Sequence, residues 1–125
     1  MLSWGQMKKI KWSVVTDPIF MIDYLAQRGG SLQSAIDRFA RLIKVPPWEV
    51  SQDANHRGHF GAHISHRAGV IWLHEKAGTN TITHEVCHAT HHTFTGLQIS
   101  EFSQTDELFA HYSAWLASEI VRRLF

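Results

Sequence analysis

Apolar residues recur along this chain at two spacings, one of about two residues and one of three to four, and the alternation between them marks out its elements. Ile10-Lys11-Trp12-Ser13-Val14-Val15 alternates and predicts a strand. Asp17 as N-cap and Pro18 at the first helical position open a helix with apolar Ile19, Met21, Ile22 and Leu25, stopped by Gly29-Gly30. Ser31 caps a second helix, with Leu32, Ala35, Ile36, Phe39, Leu42 and Ile43 on one face, and Val45-Pro46-Pro47 ends it. Trp48 to Asn55 reads as loop. Phe60 to Ser65 and the Val70-Ile71-Trp72-Leu73 run read as the strands of a hairpin turned at His66 to Gly69. After a polar turn, Thr79, Asn80, Thr81 and Thr83 can cap a helix that meets no glycine or proline between Ile82 and Gly96, with Ile82, Val86 and Ala89 on its buried side. Ser103 or Thr105 caps a last helix with an apolar stripe of Leu108, Tyr112, Trp115, Leu116, Ile120 and Leu124. The expected fold class is α+β in a single domain over residues 1–125. Two N-terminal helices pack on a small sheet containing an antiparallel hairpin, and two long helices follow.

The first of those long helices carries His84-Glu85-Val86-Cys87-His88, an H-e-x-x-H spacing. Residues four apart lie one turn apart on the same face, so His84 and His88 can grip one metal ion. Glu85, offset by one position, projects beside that ion, where it can take a proton from water. Cys87 points away from this face and reads as a small buried hydrophobe. A catalytic zinc needs a third protein ligand. Glu107, next to the apolar stripe of the last helix, is the first candidate. His92, which continues the His84–His88 face by another turn, could replace it only if the helix bent, and otherwise reads as lining the cleft. His111, one turn beyond Glu107, could be a ligand instead but is read first as an oxyanion-stabilising donor or as a partner of a ligand, and Tyr112 as core with a hydroxyl that is second choice for the donor. His56, His59, His63 and His66 form a separate row. It reads either as a second metal site or as polar hairpin residues, one of them reaching the first site.

With these residues in place, the chain resembles the zincin metallopeptidases in their gluzincin arrangement, an H-e-x-x-H helix followed by a glutamate from a later helix. The order Trp72-Leu73, Thr81 to Ala89, and Asp106-Glu107-Leu108-Phe109-Ala110-His111-Tyr112 is similar to small metallopeptidases encoded by bacteriophages and, more distantly, to the ImmA/IrrE-type peptidases. The resemblance covers Gly69 to Phe125. His91 and His92 follow His88 too soon for a metzincin pattern. The resemblance implies a minimal zincin-like domain that binds Zn2+ through His84, His88 and Glu107 and hydrolyses peptide bonds. Glu85 would be general base, and His111 would support the oxyanion. A peptide or protein substrate would pair with the strand before the motif helix, Val70 to His74. Two rivals are a zinc-binding structural or phage-morphogenesis protein, which has no use for Glu85, and a partner-binding module that has lost the metal.

Composition narrows the setting. Over 125 residues, 44% hydrophobic and 11% aromatic content supports a folded core. A net charge of +1 leaves no electrostatic drive toward a nucleic-acid backbone. A single cysteine cannot form an intrachain disulfide, and no apolar run reads as a signal core or a membrane span. The expected compartment is the cytoplasm, that of the host if the resemblance to phage proteins extends to origin. The ten histidines are the one compositional anomaly, and they gather toward the motif.

Overall fold

Four strands form one mixed sheet in the computed structural model of the chain, which describes residues 7–11, 23–63, 69–96 and 103–125. In chain order the elements are β1 (Met7–Lys11), β2 (Asp23–Arg28), α1 (Leu32–Ile43), β3 (Gly58–Ala62), β4 (Gly69–Leu73), α2 (Thr79–Gly96) and α3 (Ser103–Leu124). The sheet order is β1-β2-β4-β3, with β2 parallel to β4 and both outer pairs antiparallel. No helix among the described residues is long and apolar enough to cross a membrane.

The expected α+β class and the β3–β4 pairing are present. Two readings change. The helix expected to run from Asp17 to the glycine pair is, from Asp23 on, the strand β2, and its earlier part lies outside the described residues. Tyr24 faces one side of the sheet with Ala26, and Leu25 faces the other, all three buried. A strand paired on both edges and covered on both faces can be apolar at successive positions, so its pattern does not distinguish it from a short helix. Helical cover on the N-terminal side is therefore α1 alone among the described residues. The first strand is Met7–Lys11, and residues 12–15 of the predicted one are outside the description, as are residues 64–68 of the hairpin, while Gly69, expected in its turn, opens β4.

Gly29 and Gly30 carry positive φ of 79° and 67°, a left-handed turn that costs little without a Cβ. The turn releases the chain from β2 into α1. Ser31 then accepts the Ser34 N–H as N-cap, as expected. Two cores result. Leu32, Ala35, Ile36 and Phe39 of α1 pack on Leu25, Val70 and Trp72. On the opposite face, Tyr24, Ala26, Ile71 and Leu73 pack on Val86 and Ala89 of α2 and on Tyr112, Leu116 and Ile120 of α3. The sheet is thus the middle of three layers, and β4 is buried along its whole length.

Hydroxyls inside the second core fasten α2. Tyr24 and Thr93 both donate to the Ala89 carbonyl, at 2.9 and 3.0 Å, and the Tyr112 hydroxyl lies 3.2 Å from that of Thr93. Tyr112 is therefore core, and its hydroxyl is committed to this network. Burial raises the Tyr24 phenol well above its ordinary 10.0 and pushes Tyr112 up to about 12. A phenol neutral in the fold but ionised in the unfolded chain holds its contribution below pH 10.0 and loses it as pH climbs toward the raised value. The chain has two tyrosines, so a phenolate absorbance titration reads both. Folded protein is expected to show almost no phenolate at pH 10, and stability should fall from there by about 1.4 kcal/mol per pH unit for each tyrosine. Half-titration near pH 10 in the folded protein would mean the hydroxyls are not held inside.

Candidate metal centre

Helix pitch and packing together aim the motif. Ile82, Val86 and Ala89 turn one side of α2 into the core, which leaves His84 and His88 stacked at the surface one turn apart. β3 runs along the flank bearing Thr81, Glu85 and His92, and the Phe60 ring lies 5.5 Å from that of His92. α3 covers the other flank, where an apolar groove of about 370 Å³ separates Cys87 from Ala110 and Ala114. Cys87 is exposed there, not buried as the sequence suggests, because the two helices leave this gap.

The imidazole Nε2 atoms of His84 and His88 are 3.1 Å apart, with the rings edge to face. Two nitrogens bound to one tetrahedral zinc at 2.0–2.1 Å would be separated by about 3.3 Å, so the pair already stands at ligand spacing. One ligand atom from each of His84, Glu85 and His88 falls within 4.8 Å of the others. These three could hold a metal ion, and two imidazoles with a carboxylate make a donor set that suits zinc among other transition metals. They open on a cleft of about 490 Å³ completed by Gly58, His59 and Phe60 of β3.

Glu85 differs from the two histidines. It is 6% exposed, whereas they are in contact with solvent. Burial raises its carboxyl above the ordinary range, while His84, His88, His56 and a hydrogen bond from the Phe60 N–H pull it the other way. A buried carboxylate held by a single neutral donor is a stronger base than one in water. His59 is half-buried at the same cleft. Burial lowers its pKa, and neighbouring His56 and His88 act in the same direction.

Glu107 and His111 stand apart from this group. Among the described residues neither joins the set of convergent ligand atoms. They pair with each other instead, His111 Nε2 3.5 Å from Glu107 Oε2, with side chains 78% and 81% exposed. The cause is helical phase. α3 turns Tyr112, Leu116 and Ile120 inward and seats Phe109 against Phe94, and Glu107 lies about half a turn round from Leu116 on a helix of 3.6 residues per turn. The third ligand and oxyanion donor expected from the sequence are thus on the solvent side of α3. His92 also stays out of the group, tilted against Phe60.

Within the histidine row, His56 and His59 meet edge to face at 5.9 Å and His63 packs toward Trp48, while His66 is outside the described residues. No second group of ligand atoms forms among those described. Among the described residues of the row, His59 is the one that reaches the first cleft, in keeping with the reading of these residues as polar hairpin positions with one at the site. Comparison with protein-family models, with curated proteins and with solved structures found no match.

Proposed function

We propose that the protein is a zinc-dependent peptidase built on a minimal zincin-like fold, with His84 and His88 as metal ligands and Glu85 as general base. The observation that carries this reading is the convergence of three ligand atoms within 4.8 Å on a single turn of α2, facing an open cleft. When bound, zinc polarises a carbonyl and acidifies water at the site. Glu85 takes the proton from that water and passes it to the leaving amine, a task suited to a carboxyl raised by burial. His84 and His88 fix where the reacting carbonyl can sit. His84 and His88 would hold the metal, and among the described residues no ligand atom beyond theirs and that of Glu85 converges on the site.

The substrate edge is β3, not the strand Val70 to His74 expected from the sequence. β4 is paired on both sides and fully buried, so it offers no free edge. His74 N–H donates to the Arg57 carbonyl at 2.8 Å, which fixes the phase of the ladder. By alternation, Gly58, Phe60 and Ala62 direct their backbone groups away from β4. With the Phe60 N–H given to Glu85, the outward donors and acceptors that remain beside the cleft suit an extended peptide better than a compact small molecule.

The test is cleavage of an unfolded protein by the zinc-loaded chain, abolished by a chelator and restored by zinc. Metal retention without cleavage would leave a zinc-binding protein of another role. For the edge, Ala62→Pro deletes an outward N–H that the sheet does not use, so it should stay folded and zinc-loaded while KM rises. An unchanged KM would remove β3 as the docking edge.

A further inference from the structure

β3 comes close to α2 at Gly58. A Cβ built there would stand 2.7 Å from Thr81 Cγ2, 2.9 Å from Glu85 Cγ and 3.1 Å from Glu85 Oε2. Contacts below 3.0 Å force something to move, and two of these qualify, one to Thr81 and one to Glu85. Two residues along, the outward N–H of Phe60 donates to the Glu85 carboxylate. An edge-strand N–H would otherwise face solvent, and a glutamate side chain with three free torsions would otherwise swing in an open cleft. Each group limits the other. The carboxylate loses water on burial and regains one charge-assisted hydrogen bond from the strand.

We infer that Gly58 and the Phe60 N–H form a seat that fixes the Glu85 carboxylate beside the His84–His88 pair. Gly58 is a positioning residue whose missing side chain is the requirement. The catalytic consequence rests on reading Glu85 as the general base, but the seat itself is a property of the metal-free fold.

Amide hydrogen exchange of Phe60, followed by NMR on the metal-free full chain, tests the seat directly. Glu85→Ala removes the acceptor and is expected to speed Phe60 exchange about tenfold or more, the scale of a lost hydrogen bond to a charged group. Glu85→Gln keeps an acceptor oxygen and should retain most of the protection. Gly58→Ala should release the amide as Glu85→Ala does. Adding Thr81→Ser to Gly58→Ala removes the methyl carbon at 2.7 Å but leaves the clash with Glu85. The double variant should therefore recover melting temperature without recovering Phe60 protection. With zinc and substrate, Gly58→Ala and the double variant should show lowered kcat, with KM and metal content held.

Phe60 exchange unchanged in Glu85→Ala would overturn the seat. So would protection that returns with stability in the double variant, because Gly58 would then serve packing alone. If the exchange pattern appears but the wild type cleaves no peptide, the seat stands and the hydrolytic reading fails. If peptide is cleaved and the exchange pattern is absent, the seat fails and the peptidase reading stands.

Discussion

Glu85→Gln is expected to lower hydrolysis by about 10²–10⁴-fold, the usual worth of a general base, while the protein keeps its metal. The amide has the shape of the carboxylate and can still accept the Phe60 N–H, but it cannot take a proton from water. Melting temperature of the metal-free variant should match or exceed that of the wild type. Burial disfavours the charged form of Glu85, and a neutral amide removes that cost. Metal content by elemental analysis and cleavage of an unfolded protein are measured on the same preparations. An empty site in Glu85→Gln would make Glu85 a ligand, and the assignment of the base would go with it.

His88→Ala is expected to lose the metal outright, because it reduces a pair of nitrogens 3.1 Å apart to a single exposed imidazole. Zinc that binds only the folded state adds RT ln(1 + [L]/Kd), about 2.7 kcal/mol when the ion is at 100 times its dissociation constant. That increment should be present in wild type and absent in His88→Ala. Without zinc, the two proteins should melt close together, since His88 is exposed and not part of the core. Glu107→Ala supplies the contrast. The sequence alone implies that it empties the site, whereas its position on the solvent side of α3 implies unchanged metal content. Zinc lost in Glu107→Ala as fully as in His88→Ala would restore the three-ligand scheme and would require α3 to begin in a different orientation.

That contrast shows where the sequence stops being informative. α1 was legible because three local signals agree: the Ser31 cap, apolar positions at helical spacing, and the Pro46-Pro47 stop. The imidazole pair and Glu85 were legible because one helical turn places them, and nothing tertiary is needed. Glu107 was misplaced because its direction depends on which side of α3 packs inward. Sequence gives the stripe, but Phe109 packing against Phe94 and His91 shifts its centre away from Glu107. β2 was misread because Tyr24, Leu25 and Ala26 fit both periods over so short a run. Phe60 was legible as strand and His59 as a candidate metal residue, while nothing local singled out Gly58. Their role as the wall of the cleft depends on the sheet order, which leaves β3 at the edge beside α2.

The strand order also sets how the chain assembles. Every group lining the cleft comes from β3 and α2, joined through β4 by a hairpin and the turn that Ala77 N–H closes on the His74 carbonyl. β2 reaches β4 only by closing the whole chain between Tyr24 and Gly69. Closure entropy grows with the length of chain enclosed, and contacts between residues near in sequence form ahead of remote ones. Chain entropy thus favours β3, β4 and α2 condensing before the β2–β4 pairing closes, as a unit that already holds the imidazole pair, Glu85 and the strand beside them. The candidate site thus lies in a stretch that can organise before the sheet is complete.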